Sequence, residues 1–300
     1  MYLRHFGLSK QPFSLTPDTG LFVNLPSHEQ CFNLMTHVLD SGEGFLKVIG
    51  DVGTGKTILC RKLLRYLEAH EATEHRFHTV YIPNPMLSPV GLYRAVGQEL
   101  GLDASEKRND DALLQHINER VLSLANENKG VVIVVDESQS LPPATLEALR
   151  LISNLETEER KLVQIILFGQ TELDELLNQN RFRQLKQRIT FAHYLSPLSV
   201  TEAKQYLQFR LLQCGYNGHD LFSNSAIKKL HRAAEGIPRM LNVLAHKSMM
   251  AAYADQKKQV ELTHVALATN DTARTKLPLA PFAAGAAFVV LVATVVWRLL

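Results

Sequence analysis

The stretch "GFLKVIGDVGTGKTILCRKLLRYLEAH", residues 44–70, constrains the fold more than any other part of the chain. A short apolar run stops at a glycine loop, after which Ile58, Leu59, Leu63, Leu64 and Leu67 recur at helical spacing. That pattern is strand, loop, helix. The loop itself runs Gly50, Asp51, Val52, Gly53, Thr54, Gly55, Lys56, Thr57. Glycines there let successive backbone N–H groups curl around phosphate oxygens, and the N-terminus of the following helix adds a favourable dipole. In such a loop Lys56 reaches the β- and γ-phosphates of a nucleotide, and the Thr57 hydroxyl joins the shell of a Mg2+ ion.

A second segment, "GVVIVVDESQSLPPATLEALRLISNL", opens with five consecutive apolar residues, as a strand covered on both faces does. A carboxylate at the C-terminal end of such a strand, beside a phosphate loop, holds Mg2+, usually through water, and Asp136 is so placed. Glu137 points the other way and can polarise an attacking water. By itself an acidic pair after a strand is more often an ordinary loop or helix start. Following a phosphate loop and a further strand and helix, it is a strong signal.

Short strands are also read in "HTVYIPNP", "KLVQIILFG" and "RITFAHYL", each separated from the next by helical periodicity. The expected class is α/β, a mostly parallel five-stranded sheet with helices on both faces. From Ser199 onward the strand signal fades, while Ala203, Tyr206, Leu207, Leu211, Ile227, Leu230, Ala234, Leu241 and Leu244 recur at helical spacing. The expected organisation is a lead-in segment 1–44, an α/β core 45–198, a helical second domain 199–270, a linker 271–277 and an apolar C-terminal helix 278–298.

That last stretch carries no charge from Leu277 to Trp297. At ~1.5 Å per residue, about 20 such residues cross a ~30 Å hydrocarbon core. Trp297 and Arg298 suit one interface, and Arg274 and Lys276 put positive charge on the other flank, the side expected to stay in the cytoplasm. The competing reading is a buried C-terminal helix, but globular helices seldom run this long without a polar face. With 32 Lys+Arg against 30 Asp+Glu, the net charge of +2 gives little electrostatic reason to expect nucleic acid as a partner. Cys31, Cys60 and Cys214 are scattered and odd in number, as reduced thiols are, and the N-terminus lacks the apolar region of a secretory signal. Twelve histidines show no metal-ligand spacing, and no G-x-S-x-G elbow occurs.

Five further residues are candidates by location alone. Gln170 ends a strand, where an amide either touches the γ-phosphate and orients water or simply serves the turn. Arg181, Arg183 and Arg188 either form a solvated helix face or meet a neighbouring subunit's nucleotide. Arg239 follows a Gly-x-Pro break, where it either crosses a cleft to phosphate or caps a surface helix.

Together, "GDVGTGKT", "VVIVVDE", the polar strand end, the arginine before the fifth strand and "GIPR" resemble an AAA+ ATPase. "FGLSKQPFSLTPD", "ILFGQTEL" and "LKQRITFAHYLSPL" are similar to the ExeA/GspA group, which includes the MshM proteins of mannose-sensitive haemagglutinin (MSHA) pilus biogenesis. The resemblance covers about residues 1–270. It implies an AAA+ strand order, ATP and Mg2+ between sheet and lid, and the roles given above for Lys56, Thr57, Asp136 and Glu137. It further implies Gln170 as sensor 1, where many relatives carry Asn, Thr or Ser, and Arg239 as sensor 2. Arg188 is the implied arginine finger on a neighbour's ATP, with Arg183 as runner-up, and Phe6 and Phe13 are implied to lie near the adenine. Self-association into nucleotide-dependent rings or other oligomers follows from a finger acting in trans.

The implied function is an inner-membrane, single-pass ATPase facing the cytoplasm, which drives or regulates assembly of a type IV pilus or type II secretion apparatus with a membrane partner. ExeA-like proteins continue into a periplasmic peptidoglycan-binding domain, which a chain ending at Leu300 is expected not to share. The alternatives are a DNA-linked AAA+ protein of the transposition-helper kind and a nucleotide-binding scaffold with negligible turnover.

Overall fold

The computed structural model describes residues 2–15, 19–74, 76–102, 110–156 and 161–276. Five strands, β1 (Phe45–Ile49), β2 (Phe77–Ile82), β3 (Gly130–Val135), β4 (Val163–Gly169) and β5 (Phe191–Tyr194), form one parallel sheet in the order β2-β3-β4-β1-β5. The period of two along each strand divides its side chains between two cores. Val131, Ile133 and Val135 of β3, with Val163, Ile165 and Leu167 of β4, enter one buried cluster, while Val132, Val134, Ile166 and Phe168 enter the other. Continuous apolar runs are therefore required, since both faces are covered.

The first face is covered by α4 (Pro89–Glu99), α5 (Asp110–Asn126), α6 (Pro143–Ile152), α7 (Thr171–Leu177) and α8 (Arg183–Arg188). Against the second lie α2 (Pro26–Asp40) and α3 (Lys56–Glu74), which bury Cys31, Met35, Leu59 and Leu63. Buried Gln164 of β4 donates its amide to the Val38 and Glu43 carbonyls at 2.9 and 3.1 Å, so the end of α2 is tied to the sheet.

The second cluster of helices comprises α9 (Val200–Gln213), α10 (Asn224–Ala234), α11 (Pro238–Ala254) and α12 (Leu262–Lys276). Ser199 and Glu202 start α9 with a capping box, and Pro238 occupies the first turn of α11, where its missing N–H does no harm. The lead-in helix α1 (Tyr2–Phe6) packs here as well, so Tyr2, Phe6, Leu8 and Phe13 are part of the lid's core.

Two expectations are corrected by this arrangement. Phe6 and Phe13, implied to lie near adenine, are instead buried among lid residues, with Phe13 edge-on to Phe222 at 6.0 Å. The stretch 271–277, read as a linker, is helical through Lys276, because Lys247 of α11 holds Asp271 at 2.7 Å and Thr272 at 3.1 Å. The apolar span 278–298 lies outside the described residues. Among the described residues no helix is long and apolar enough to cross a membrane.

Gly236 joins α10 to α11 at φ +72°, and a Cβ there would meet the Leu198 carbonyl oxygen at 2.4 Å. Both partners are backbone, since Leu198 N–H also bonds to the Gly236 carbonyl at 2.9 Å. Gly236→Ala is expected to destabilise the lid by about 1–3 kcal/mol. A thermal scan should read this as a lowered midpoint, and an unchanged midpoint would show that the junction relaxes.

Candidate nucleotide site

Parallel strands deliver their C-terminal ends to one edge of the sheet, and the register aligns those ends: Ile49 sits opposite Gly169, and Val135 opposite Leu167. The loop after β1, the acidic pair after β3 and Gln170 after β4 consequently meet. They face a cleft of about 350 Å³ closed on the far side by lead-in and lid residues.

The glycine loop takes its shape from positive φ at Gly53 (+87°) and Gly55 (+107°). A Cβ on Gly53 would come within 2.6 Å of Arg239 Cβ, and the Arg239 N–H donates to the Gly53 carbonyl at 3.2 Å. The start of α11 thus rests directly on the loop. Thr54 is buried and its hydroxyl donates to the Asp51 carbonyl at 2.8 Å, whereas Asp51 and Val52 are exposed. Gly50 N–H bonds to the Gly169 carbonyl at 3.2 Å, which anchors the loop to β4.

Lys56 is 5% exposed and donates to the Gly50 and Asp51 carbonyls at 2.5 and 3.0 Å. Burial lowers its amine's pKa, and burial raises that of Asp136. Both charges are therefore poorly solvated, and each feels the other's opposite charge. Asp136 accepts from the Glu137 N–H at 2.9 Å and from the Thr57 hydroxyl. A buried carboxylate joined to a hydroxyl beside a phosphate loop is an oxygen donor set suited to Mg2+.

Glu137 adopts the left-handed conformation (φ 51°, ψ 38°), a strained geometry for a non-glycine residue. Ser138 sustains it: its buried hydroxyl reaches the Val135 carbonyl (3.1 Å) and the Phe168 carbonyl (2.8 Å), pinning the turn to β3 and β4. The Glu137 carboxylate accepts from Gln139 Nε2 at 2.6 Å and from Gln170 Nε2 at 3.4 Å. Gln139 Oε1 in turn accepts the Gln170 N–H at 3.1 Å. Gln170 occupies the N-cap position of α7 without capping it, which leaves its amide free to face Glu137.

Not every arginine gathers here. Arg239 lines the cleft. Arg188 lies away from it, donating through Nη1 to the Ser153 carbonyl and hydroxyl at 3.1 and 3.2 Å. Arg183 is exposed, and Arg181 folds onto Gln179 and over the Phe182 ring.

Several cleft residues carried no sequence signal. His28 is 5% exposed and bonds through Nε2 to the Thr54 carbonyl at 2.9 Å; a carbonyl only accepts, so Nε2 carries the proton. Its Nδ1 is buried without a partner, and burial lowers the ring's pKa, keeping it neutral. Phe22, edge-on to His28 at 5.7 Å, lines the same wall. From the lid come Tyr206, Arg210 and Asn242.

A glycine loop at the carboxyl edge of a five-stranded parallel sheet, with an acidic pair on the neighbouring strand and a helical lid, defines an AAA+ P-loop fold, and the family described as "AAA domain" matches residues 38–177. A fold of this kind implies nucleotide binding, usually with Mg2+. The chain is 36% identical over 271 residues to General secretion pathway protein A of Aeromonas hydrophila, a likeness consistent with the ExeA/GspA group. That alignment takes in 90% of this chain and 48% of the relative, so the chain spans about half the relative's length. Among solved structures, the ORC1 protein of Aeropyrum pernix in complex with DNA superposes with a TM-score of 0.65 at 20% identity, covering 90% of this chain and 73% of that one. Cdc6p of Pyrobaculum aerophilum gives 0.64 at 18%, covering 89% and 74%. These two likenesses show the fold alone.

Proposed function

We propose that this protein is a membrane-anchored ATPase that drives or regulates assembly of a type II secretion apparatus or an MSHA-like type IV pilus. The observation that carries the reading is the convergence of Lys56, Glu137 and Arg239 on one cleft between sheet and lid, with Asp136 buried beside Lys56. Its secretion context is supported by the 36% identity to a relative named for the general secretion pathway.

In this reading the N–H groups of the loop and the Lys56 ammonium bind the phosphates of ATP. Thr57 and Asp136 hold Mg2+, which supplies positive charge next to the phosphate oxygens when bound. Glu137 takes the proton of the attacking water, while Gln139 and Gln170 orient its carboxylate. Arg239 closes the lid over the phosphates from its seat on Gly53. A neighbouring subunit contributes an arginine in trans. Ser153 retains Arg188 within its own chain, so the exposed Arg183 is the better placed of the two. The apolar run 278–298 anchors the chain in the inner membrane with the ATPase on the cytoplasmic side, against an inner-membrane partner.

The full chain should pellet with membranes, resist carbonate extraction and hydrolyse ATP after detergent solubilisation. Recovery wholly in the soluble fraction would remove the anchor. Secretion or piliation that is unchanged when the protein is deleted would remove the assembly role.

A further inference from the structure

Three lid residues, bonded to lead-in carbonyls, form a buried polar chain that the phosphate chemistry does not use. Arg210, 7% exposed on α9, donates through Nε to the Pro12 carbonyl at 2.6 Å, through Nη1 to the Tyr206 hydroxyl at 2.9 Å and through Nη2 to the Ser14 carbonyl at 3.5 Å. The Tyr206 hydroxyl donates to Oδ1 of Asn242 at 3.0 Å. All three residues line the cleft, and Asn242, on α11 and 6% exposed, stands one helical turn beyond Arg239.

The direction of this chain is forced. A guanidinium only donates, so the Tyr206 oxygen must accept from it, and the hydroxyl proton then points onward to the one acceptor of the Asn242 amide. That engages Oδ1 and fixes which way the amide faces, so that its NH2 is the donor Asn242 can offer to a ligand. The positive charge of Arg210 polarises the hydroxyl and strengthens the second bond, since linked hydrogen bonds reinforce one another in a low dielectric. Among the described residues no carboxylate bonds to Arg210, and a buried cation held by neutral groups is costly. Fixing the amide gives that cost a use.

Resting on the nucleotide reading of this cleft, we propose that Asn242 is the residue that reads the nucleobase, and that Arg210 and Tyr206 are positioning residues that turn its amide to present a donor. A purine ring nitrogen is the matching acceptor. The remaining wall suits a flat apolar ring, since Leu15, Leu21, Phe22, Ile58 and Pro238 line it. The phosphates lie at the opposite end, on the glycine loop.

The test compares equilibrium binding of ATP with that of ribose 5′-triphosphate, which keeps the sugar and phosphates but lacks the base. Asn242→Ala is expected to weaken ATP by about five- to tenfold, the usual worth of one buried hydrogen bond, and to leave ribose triphosphate unchanged. Asn242→Asp, which presents acceptors in place of the donor, is expected to weaken ATP further. Tyr206→Phe keeps the ring's packing and removes only the hydroxyl; its ATP preference should fall between those of the parent and Asn242→Ala, which keeps the test available if the Asn242 variants fail to fold. The proposal is overturned if each variant shifts both ligands by the same factor, or neither. A parent protein that binds neither compound overturns the nucleotide reading itself, a result distinct from tight ATP binding that ignores Asn242.

Discussion

Glu137→Gln is expected to retain ATP binding and to lower turnover by about 10²–10⁴-fold, the span associated with removing a general base. The expectation rests on how the carboxylate is held. Its backbone occupies a left-handed turn that Ser138 pins to two strands, so the side chain starts from a fixed point. Gln139 and Gln170 both donate to Oε2, and an amide oxygen in the same place still accepts from them. The substitution therefore removes basicity and charge while conserving shape. Phosphate release measures the loss, and equilibrium binding of ATP measures what is retained. A protein that acts as a nucleotide-dependent scaffold predicts the opposite, with parent and variant equally slow. The variant should also accumulate in its ATP-bound form, which makes it suited to capturing the membrane partner.

The legible parts of this molecule are those where a short stretch of chain determines its own environment. The runs Val131–Val135 and Ile165–Phe168 are apolar without interruption because both faces of a central parallel strand are covered, and that property reads directly from sequence. Residues 50–57 are legible because the loop's backbone does the binding and its glycines are local requirements. Gln139, by contrast, matters through a bond to Glu137 and another to the N–H of Gln170, a residue 31 positions away. His28, Tyr206, Arg210 and Asn242 are brought to the cleft by the docking of a lead-in and a lid on the core, contacts up to 198 residues apart along the chain. No spacing rule anticipates these. The lead-in shows the same limit from the other side: the resemblance implies Phe6 and Phe13 near the adenine, yet both serve the lid's core, and Phe22 faces the cleft. The helix through Lys276 meets α11, whose Lys247 bonds to Asp271 and Thr272, 24 and 25 positions further along the chain.

Lys56→Ala is expected to weaken ATP binding by about 10- to 150-fold, the worth of about 1.5–3 kcal/mol for a hydrogen bond to a charged group. Two features of the site set that size. The ammonium is 5% exposed and its pKa is lowered by burial, so water does little to satisfy it, and an anion arriving at the loop replaces weak solvation by direct attraction. It is bonded to the Gly50 and Asp51 carbonyls, part of the loop it serves. Removing it deletes the ligand's principal cation and also two bonds that brace the loop, so some loss of order around residues 50–56 should accompany the loss of affinity. Lys56→Arg separates the two contributions. It keeps the charge, but the planar guanidinium is bulkier than an ammonium and must be placed where Thr54 and Asp136 are also buried. If charge alone sets affinity, the arginine variant should bind ATP like the parent. If placement against the loop carbonyls matters, it should bind as weakly as the alanine variant, and the Asn242 end of the cleft should then still distinguish ATP from ribose triphosphate by the same factor as before.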